Sequence, residues 1–180
     1  MNFTIRKAVQ GDREAIEKLI GESVCGLSRD DYDARQIELS IQTVFGVDTE
    51  LIADGTYFVG ETQTGEMAGC GGWSKRKTLF GASRYSESRD SGLLDPKRDA
   101  AKIRAFFIHP DFARKGVGSL ILEVCEREAE AHGFKRAEMM ATLPGVKLYA
   151  ARGYTGDEQV SVPVGENVAI ICVKMRKLLA

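Results

Sequence analysis

The fold is decided by one continuous stretch of the chain, KIRAFFIHPDFARKGVGSLILEVCEREAEAHGFKRAEMMA, residues 102–141. Residues 102–108 have the apolar character of a buried strand, and residues 136–141 read as a second strand. Between them, apolar side chains recur at helical spacing up to Gly133, which can end a helix. These side chains are Val117, Leu120, Ile121, Val124, Cys125 and Ala129. This order predicts a strand–helix–strand unit with parallel strands and a right-handed crossover.

The loop before the predicted helix has the features of an anion-binding site. It reads FIHPDFARKGVGSL, residues 107–120, and places Gly116 and Gly118 at the helix start. Backbone N–H groups at a helix start are free to point at an anion, and the positive end of the helix dipole lies there. The two glycines carry no Cβ to obstruct a diphosphate, and Arg114 and Lys115 add positive charge. The sequence therefore predicts a phosphate site formed mainly by backbone amides.

A plainer interpretation of the same loop is a helix start whose glycines serve packing and whose two basic side chains are solvated. A lone G-x-G does not distinguish the two interpretations. Other nucleotide motifs fit less well. The loop lacks the G-x-x-x-x-G-K-[ST] pattern, and it lacks the third glycine and the downstream acidic residue of the dinucleotide fingerprint.

In its strand and helix context, the loop resembles the acetyl-CoA motif of the GNAT superfamily of N-acetyltransferases, [QR]-x-x-G-x-[GA]. Ala113 stands where the motif has Gln or Arg, and Arg114 follows it, so the resemblance places the bound phosphates mainly on the loop backbone. The resemblance assigns acetyl-CoA binding to the loop and the first helical turn, namely Arg114, Lys115, Gly116, Val117, Gly118 and Ser119.

A second segment, LYAARGY at residues 148–154, is similar to the late [LF]-Y-x-x-x-G-[FY] segment of the same superfamily. In the family this segment is the helix after the fifth strand. Thr142 stands seven positions before Tyr149, where many relatives have Asn, and its hydroxyl can replace the amide's contact to pantetheine. The resemblance covers residues 3–175 and is weakest in an insertion at residues 74–99.

The resemblance implies an α/β fold of the mixed α+β kind, with the GNAT architecture. Its central sheet is mixed and mostly antiparallel, with six to seven strands and with helices on both faces. The fourth and fifth strands form a parallel pair that splays apart to hold acetyl-CoA. In the family the pantetheine arm bonds to main-chain groups in this gap, and the resemblance gives that role to Phe106, Phe107 and Ile108. A strand N–H beside the thioester can stabilise an oxyanion.

Periodicity predicts the first half of the chain as a strand, two helices and a hairpin. Residues 3–9 form the strand. Asp12 and Asp33 can cap the two helices, the second of which ends near Gly46. Residues 56–62 and 67–73 form an antiparallel hairpin.

Residues 74–99 show no sustained period and read as an irregular insertion, a place where compact domains often carry functional lids. After Pro144 a short helix runs to Gly153. Residues 160–164 and 168–175 form a last hairpin around Gly165.

Composition indicates one domain over residues 1–180, since 43% of the residues are apolar and only four are prolines. The formal charge of −1 offers no field for nucleic acid or a membrane surface, so a small-molecule or peptide partner is expected. The resemblance implies that this partner is a small-molecule amine or an amino group of a peptide or protein. The four cysteines lie far apart without a CxxC pair, which argues against a zinc site and a disulfide framework. We expect a cytoplasmic protein that binds no metal and has neither a signal peptide nor a membrane span. A homodimer is compatible with the sequence.

The resemblance makes Tyr149 the acid that protonates the departing CoA thiolate, because a phenol of pKa ~10 can reach a thiol of pKa ~8.5 only slightly uphill. The alternative is a core tyrosine at a helix–sheet contact. The base that deprotonates the amine is not identified by the sequence. Glu138 is the candidate, with a solvated strand carboxylate as its ordinary alternative, and Asp95 or Asp99 could also reach.

Three further residues have structural interpretations. His109 precedes Pro110 and is expected to shape the turn, and Cys125 is expected to be a core thiol. Trp73 ends a hairpin strand near the place where acceptors enter such folds, although most tryptophans are simply packed.

The sequence leaves three functions open. The first is N-acetyl transfer from acetyl-CoA to a primary amine of a small molecule, peptide or protein by direct attack. The second is a non-catalytic regulatory module that binds an acyl-CoA. The third is a protein-interaction domain that has lost CoA.

Overall fold

A computed structural model describes residues 2–85 and 89–179 and places its seven strands in a single sheet, in the order β1-β2-β3-β4-β5-β7-β6. The strands are β1 Phe3–Lys7, β2 Tyr57–Thr62, β3 Met67–Ser74, β4 Ala101–Ile108, β5 Arg136–Thr142, β6 Thr155–Gly165 and β7 Val168–Leu178. The α-helices of the described residues are α1 Arg13–Leu27, α2 Ala34–Gln42, α3 Thr49–Ala53, α4 Val117–Ala131 and α5 Val146–Ala151. Short 3₁₀ turns occupy Gln10–Asp12, Pro110–Phe112 and Leu143–Gly145.

The sheet is mixed and mostly antiparallel, as the resemblance implied. Every neighbouring pair of strands is antiparallel except β4 and β5, which run parallel on either side of α4. The strand–helix–strand unit predicted from residues 102–141 is therefore confirmed.

Helices cover both faces of the sheet, and each face has its own apolar core. On one face, α1 and α2 pack on the strands through buried side chains that include Ile16, Ile20, Ile37, Val59 and Val162. On the other face, α4 packs through Val117, Ile121, Leu122, Cys125 and Ala129 against Trp73, Ile103 and Met139. Because the central strands are buried on both sides, their sequences are apolar in long runs.

One of the apolar side chains predicted for the buried face of α4 was wrong. Leu120 is 39% exposed, whereas Leu122, which the prediction left out, is 1% exposed. At about 100° per residue, Leu122 lies closer than Leu120 to the middle of the face that Gly118, Cys125 and Ala129 define. The helix itself and its end near Gly133 are as predicted.

The helix caps confirm one prediction and correct another. The Asp33 carboxylate accepts from the Gln36 N–H at 2.8 Å and begins α2, as predicted. The Asp12 carboxylate does not cap α1; it accepts from the Val9 N–H and from the Arg6 guanidinium, all at 2.8 Å. It therefore closes the 3₁₀ turn that precedes α1.

Several boundaries differ from the predicted ones, and one element was missed. Strand β1 ends at Lys7 and not at residue 9, and β7 continues to Leu178 and not only to residue 175. Helix α2 ends at Gln42 rather than near Gly46, because the chain turns there into the short helix α3, whose cap is Asp48. The last hairpin is longer than predicted, since β6 begins at Thr155. The extra residues of β6 lie at the sheet edge with exposed polar side chains, so they carry no apolar period.

The described residues of the 74–99 insertion carry no helix, as expected, and beyond Ser74 only the isolated bridge between Arg76 and Leu93. Ion pairs fasten the insertion to the α1–α3 side of the molecule: Arg76 with Asp54, Arg84 with Glu17, and Arg89 with Asp48. Whether it acts as a lid remains a prediction. None of the described helices has the length and apolar character that a membrane span requires.

Candidate active site

The parallel strands β4 and β5 are paired only at their beginnings. The register contains Ala101 opposite Ala137 and Lys102 opposite Glu138, and no later pair. Strand β4 nevertheless continues to Ile108 and β5 continues to Thr142, each still paired with its other neighbour. The two strands therefore diverge into an open gap, the feature that the resemblance implied.

A β-bulge lies in β4 along this gap. Arg104 is opposite Gly72 and Phe107 is opposite Cys70, so Ala105 and Phe106 both face Gly71. Ala105 has a φ of 54°, a left-handed conformation that is uncommon for a residue with a Cβ. A Cβ on Gly71 would lie 2.6 Å from the Phe106 ring, so only glycine leaves room for that ring.

From Ala105 onward the β4 side chains alternate between the two faces of the sheet. Ala105 and Phe107 pack with the α1 core, and Phe107 contacts Phe45 with ring centroids 5.6 Å apart. Phe106 and Ile108 pack with the α4 core.

The amides after the bulge alternate in direction. The His109 N–H donates to the Ala68 carbonyl of β3 at 3.0 Å, and the Ile108 N–H donates to the Ser23 hydroxyl of α1 at 3.1 Å. The Phe107 N–H faces β3, where it reaches the Cys70 thiol. Of the three residues assigned to the gap, Ile108 therefore turns its amide away from β3, and Phe107 does not.

The start of α4 is open, as the phosphate prediction requires. Gly116 occupies the cap position with a φ of 96°, and none of the described side chains caps the helix. The first helical bond runs from the Leu120 N–H to the Gly116 carbonyl at 3.1 Å, so the preceding amides of Val117, Gly118 and Ser119 have no helical acceptor. A Cβ on Gly116 would meet no atom within 4 Å. An anion can approach this backbone directly.

The two glycines of the loop have different roles. A Cβ on Gly118 would lie 3.1 Å from Leu148 and 3.3 Å from Ile108, inside the protein. The sequence analysis predicted that the missing Cβ of Gly118 leaves room for a diphosphate, and this prediction was wrong. The missing Cβ instead lets α4 pack closely on α5 and β4. Arg114 and Lys115 are exposed beside Gly116, and Lys115 lies 5.6 Å from the centre of the Phe112 ring.

Tyr149 of α5 reaches the gap from the α4 side. Its ring meets the Phe106 ring edge to face, with centroids 6.1 Å apart, and it is only 7% exposed. Among the described residues its hydroxyl has no hydrogen-bond partner. Burial, and secondarily the nearby Cys125 thiol, raise the pKa of Tyr149. The hydroxyl therefore stays protonated at neutral pH and has a proton to donate. The raised pKa also makes it a weaker acid than an ordinary phenol, so proton transfer to a thiolate is further uphill than the sequence analysis assumed.

Thr142 ends β5 and caps the Leu143–Gly145 turn at the far side of the gap. The next amide, that of Leu143, donates to the Tyr32 hydroxyl at 2.9 Å, and the same hydroxyl donates to the Ile171 carbonyl of β7 at 2.7 Å. Tyr32 thus fixes the end of β5 from the α1–α2 loop.

The carboxylates considered as bases lie at the closed end of the gap. Glu138 accepts a hydrogen bond from the Lys102 ammonium. At about 3.3 Å per residue, Lys102 lies about 13 Å along β4 from Phe106. The Asp99 carboxylate accepts from the Asp95 N–H at 2.7 Å, in a turn that precedes the first residue of β4. None of these positions favours direct contact with a group beside Tyr149, and the base remains a prediction.

The residues given structural interpretations behave accordingly. The His109 Nδ1 accepts from the Asp111 N–H at 3.2 Å and begins the Pro110–Phe112 turn. Cys125 is fully buried in α4. Trp73 is also fully buried, and it packs on Phe134 opposite Ile103, away from the open end of the gap.

Two residues near the gap were missed by the sequence analysis. Ser23 binds the Ile108 amide, and the Tyr57 hydroxyl lies 3.3 Å from the Ala105 carbonyl. Ser23 falls in the buried face of α1 and Tyr57 in an apolar strand, so neither gives a sequence signal beyond core packing.

Comparison with known proteins agrees with this geometry. The family model described as Acetyltransferase (GNAT) family matches residues 22–154. No curated protein matches the chain. A GCN5-related N-acetyltransferase from Rhodopseudomonas palustris is similar in structure, with a TM-score of 0.72, 19% identity, and coverage of 99% of this chain and 97% of the other.

Two further solved structures share the fold and contain a coenzyme. PaiA N-acetyltransferase from Thermoplasma acidophilum, in complex with coenzyme A, has a TM-score of 0.65 and 14% identity over 99% of each chain. YncA, a putative acetyltransferase from Salmonella typhimurium with acetyl-CoA, has a TM-score of 0.63 and 18% identity over 100% of this chain and 95% of the other. At such identities the structures show a shared fold, whereas the family model spans well over half of the sequence. The chain therefore belongs to the acetyltransferase (GNAT) family.

Proposed function

We propose that this protein transfers the acetyl group of acetyl-CoA to a primary amine, on a small molecule or on a peptide or protein, by direct attack of the amine. The observation that carries the proposal is the continuity of the open β4–β5 gap with the uncapped start of α4. Eight residues lead from Ile108 to Gly116, and Gly118 packs against Ile108. One extended ligand can therefore place a diphosphate at the helix and a thioester in the gap.

The phosphate end fits the residues present. The amides of Val117, Gly118 and Ser119 offer donors at the positive end of the α4 dipole. Arg114 and Lys115 stand at the exposed rim and add charge.

The gap fits a pantetheine arm. We assign the contacts with the arm to residues 106–108 of β4 and to Thr142 at the end of β5. Within this stretch the Ile108 amide turns away from β3, whereas the Phe107 amide faces β3. Ser23 already holds the Ile108 amide, so it would share or yield that donor when the arm binds.

Bound acetyl-CoA would supply an activated acetyl thioester. Tyr149 is the residue we propose to protonate the leaving sulfur, because its hydroxyl is protonated, lacks another partner among the described residues, and lies on the gap side of α5. A strand N–H of β4 would stabilise the negative charge that develops on the thioester oxygen.

The amine must lose a proton before it attacks, since a lysine-like amine has a pKa of ~10.4. Glu138 lies at the closed end of the gap and is bonded to Lys102, so direct contact with the amine is disfavoured. We infer that water carries this proton away from the amine. Glu138 then remains the carboxylate to test as the end of that path.

A thiol-release assay with acetyl-CoA tests the proposal. The amine panel would include polyamines, amino acids, aminoglycosides and peptide N-termini, and at least one should release CoA above the rate without amine. Calorimetry and thermal shift with acetyl-CoA run in parallel. Ligand at a hundred times its Kd should stabilise the fold by roughly 2.7 kcal/mol.

The other two functions give different results in the same experiment. Tight CoA binding without turnover on any amine would favour a regulatory module. Absence of both heat and thermal shift would indicate that the fold has lost CoA, and would end the proposal.

A further inference from the structure

The Tyr57 side chain contacts the bulge in β4 from the α1 face of the sheet. This side chain comes from β2, is fully buried, and lies in the α1 core. Its hydroxyl is 3.3 Å from the Ala105 carbonyl and 3.3 Å from the Cys70 sulfur. The Ala105 carbonyl is thus bonded from the α1 face of the sheet.

The carbonyl needs this partner because the bulge disrupts the ladder. Two residues of β4 face the single residue Gly71, so one peptide unit loses its regular pairing with β3. A partly buried carbonyl without a donor is unfavourable, and the left-handed φ of Ala105 is unfavourable for a residue with a Cβ. The Tyr57 hydroxyl supplies a donor for the carbonyl and so helps to hold Ala105 in its left-handed conformation.

The direction of this carbonyl fixes the direction of the next amide. The peptide unit joining Ala105 and Phe106 is planar and trans, since the described residues contain no cis peptide bond. In such a unit the C=O and the N–H point in opposite directions. With the Ala105 carbonyl bonded on the α1 face, the Phe106 N–H points away from it, toward the side where the Phe106 ring meets Tyr149.

We propose that Tyr57 is a positioning residue, which aims the Phe106 N–H at the thioester oxygen by donating a hydrogen bond to the Ala105 carbonyl. This inference rests on the proposed function, because it assumes that the thioester lies in the β4–β5 gap. Tyr57 touches no reacting atom and acts only through the peptide unit.

The ionisation state of Tyr57 agrees with a donor role. Burial, and secondarily the Cys70 thiol, raise the pKa of Tyr57 well above its ordinary value. The Asp48 and Glu17 carboxylates act in the same direction. A neutral hydroxyl has one proton to donate, and both the Ala105 carbonyl and the Cys70 sulfur lie 3.3 Å from it. The carbonyl oxygen is the better acceptor, because a thiol sulfur accepts only weakly. The Cys70 thiol also lies 3.9 Å from the same carbonyl and can donate a weaker bond to it.

The test is Tyr57→Phe, which keeps the ring and removes only the hydroxyl. The probe is acetyl-CoA labelled with ¹³C at the thioester carbonyl, observed by isotope-edited infrared spectroscopy without an amine. In the wild-type protein the carbonyl band should move to lower frequency on binding, because a preorganised N–H polarises it. In Tyr57→Phe at least half of this shift should disappear, while the Kd for acetyl-CoA should change by no more than about threefold, since the phosphate contacts are untouched.

Ser40→Ala is the matched control. The Ser40 hydroxyl is also buried and donates to a main-chain carbonyl, that of Gln36, at 2.6 Å within α2. This variant should lose comparable stability and keep the full infrared shift. An amine that serves as acceptor should show kcat about tenfold lower in Tyr57→Phe, with little change in KM for acetyl-CoA.

A second measurement needs no variant, in case Tyr57→Phe does not fold. The hydroxyl proton of Tyr57 should exchange slowly in the wild-type protein, and its proton resonance should move more with acetyl-CoA than with CoA. An infrared shift that is equal in wild type and Tyr57→Phe, or a Tyr57 resonance that does not respond to the acetyl group, would overturn the inference. If acetyl-CoA binds neither protein, it is the proposed function that fails.

Discussion

Lys102 and Glu138 form the last register pair between β4 and β5, and their side chains are bonded to each other at the point where the strands separate. Both side chains are largely buried, with 10% and 22% exposed. The pair therefore closes the base of the gap on the side of the α1 core. A carboxylate fixed in this way serves to hold two strands together.

Replacing Glu138 with Gln separates a structural role from a catalytic one, with Lys102→Met as its matched control. Each variant removes the same ion pair and should lower the free energy of unfolding by about 1–2 kcal/mol. If the pair only closes the gap, both variants should keep the pH dependence of kcat/KM. A loss of about a hundredfold or more in Glu138→Gln alone, with its acidic limb abolished, would instead identify Glu138 as the base.

Tyr149→Phe should lower kcat by about a hundredfold and leave the Kd of CoA within about threefold, because it removes a proton donor and keeps the buried ring. Tyr154→Phe is the control, since Tyr154 is equally buried and its ring lies 6.1 Å from that of Tyr149. Steady-state kinetics with the best acceptor from the amine panel measures both. Equal losses in the two variants would assign Tyr149 to packing.

The same residue predicts a pH dependence. Burial raises the pKa of Tyr149 above the ordinary value of 10.0, so its protonated, donating form persists to higher pH than in a free phenol. Consequently kcat should not decline between pH 8 and about 10 through loss of this proton. A basic limb with a midpoint below 10 that disappears in Tyr149→Phe would contradict the role of burial.

Gly116→Ala tests the anion site, with Gly55→Ala as a control of matched backbone strain. Both glycines have positive φ, 96° and 67°, and at both a Cβ would meet no atom within 4 Å. Each substitution should therefore cost about 1–2 kcal/mol of stability. Only Gly116→Ala should weaken CoA binding, by about tenfold or more, because its Cβ points into the space where the diphosphate approaches.

Calorimetry with CoA gives the affinities and thermal melts give the stabilities. Equal CoA affinities in the two variants would mean that the start of α4 does not bind the diphosphate. Gly118→Ala should behave differently from Gly116→Ala and weaken CoA binding less, because its Cβ would lie inside the protein, 3.1 Å from Leu148 and 3.3 Å from Ile108, and not in the space where the diphosphate approaches.

The sequence predicted those parts of the fold that repeat a local pattern. The parallel strands around α4, the β2–β3 hairpin and the capped start of α2 each depend on side chains close together in the chain. The glycines of the loop likewise identify a helix start by local spacing. The short helix α3 was missed because five residues are too few to show a helical period.

The parts that the sequence did not predict depend on contacts between distant residues. Tyr57 and Ala105 are 48 positions apart, and Asp48 and Arg104 are 56 apart. A tyrosine in an apolar strand gives the same sequence pattern whether or not its hydroxyl is hydrogen-bonded to a bulge in another strand. The left-handed Ala105 gives no signal either, since glycine, the residue that usually marks such a conformation, is absent there.

The buried ion pair between Asp48 and Arg104 gives the last prediction. Their side chains are 0% and 1% exposed, and the Arg104 guanidinium also donates to the Gly81 carbonyl at 2.9 Å. Burial lowers the pKa of Arg104, which reflects the cost of a charge placed in the core. Within the described part of the chain, the Nε and Nη1 atoms of Arg104 are buried and have no hydrogen-bond partner, so Asp48 is the main compensation for that charge.

Asp48→Asn should accordingly lower the free energy of unfolding by about 3–5 kcal/mol, since it leaves the buried Arg104 guanidinium uncompensated and also removes the ion pair between Asp48 and Arg89. Glu38→Gln, which breaks the exposed pair between Arg35 and Glu38, should change it by no more than about 0.5 kcal/mol. Urea denaturation at constant m-value measures both. Adding Arg104→Met to Asp48→Asn should recover part of the lost stability, because the uncompensated charge is then removed. A double variant less stable than Asp48→Asn would contradict this. It would show that Arg104 stabilises the fold mainly through its hydrogen bond to Gly81 and its packing.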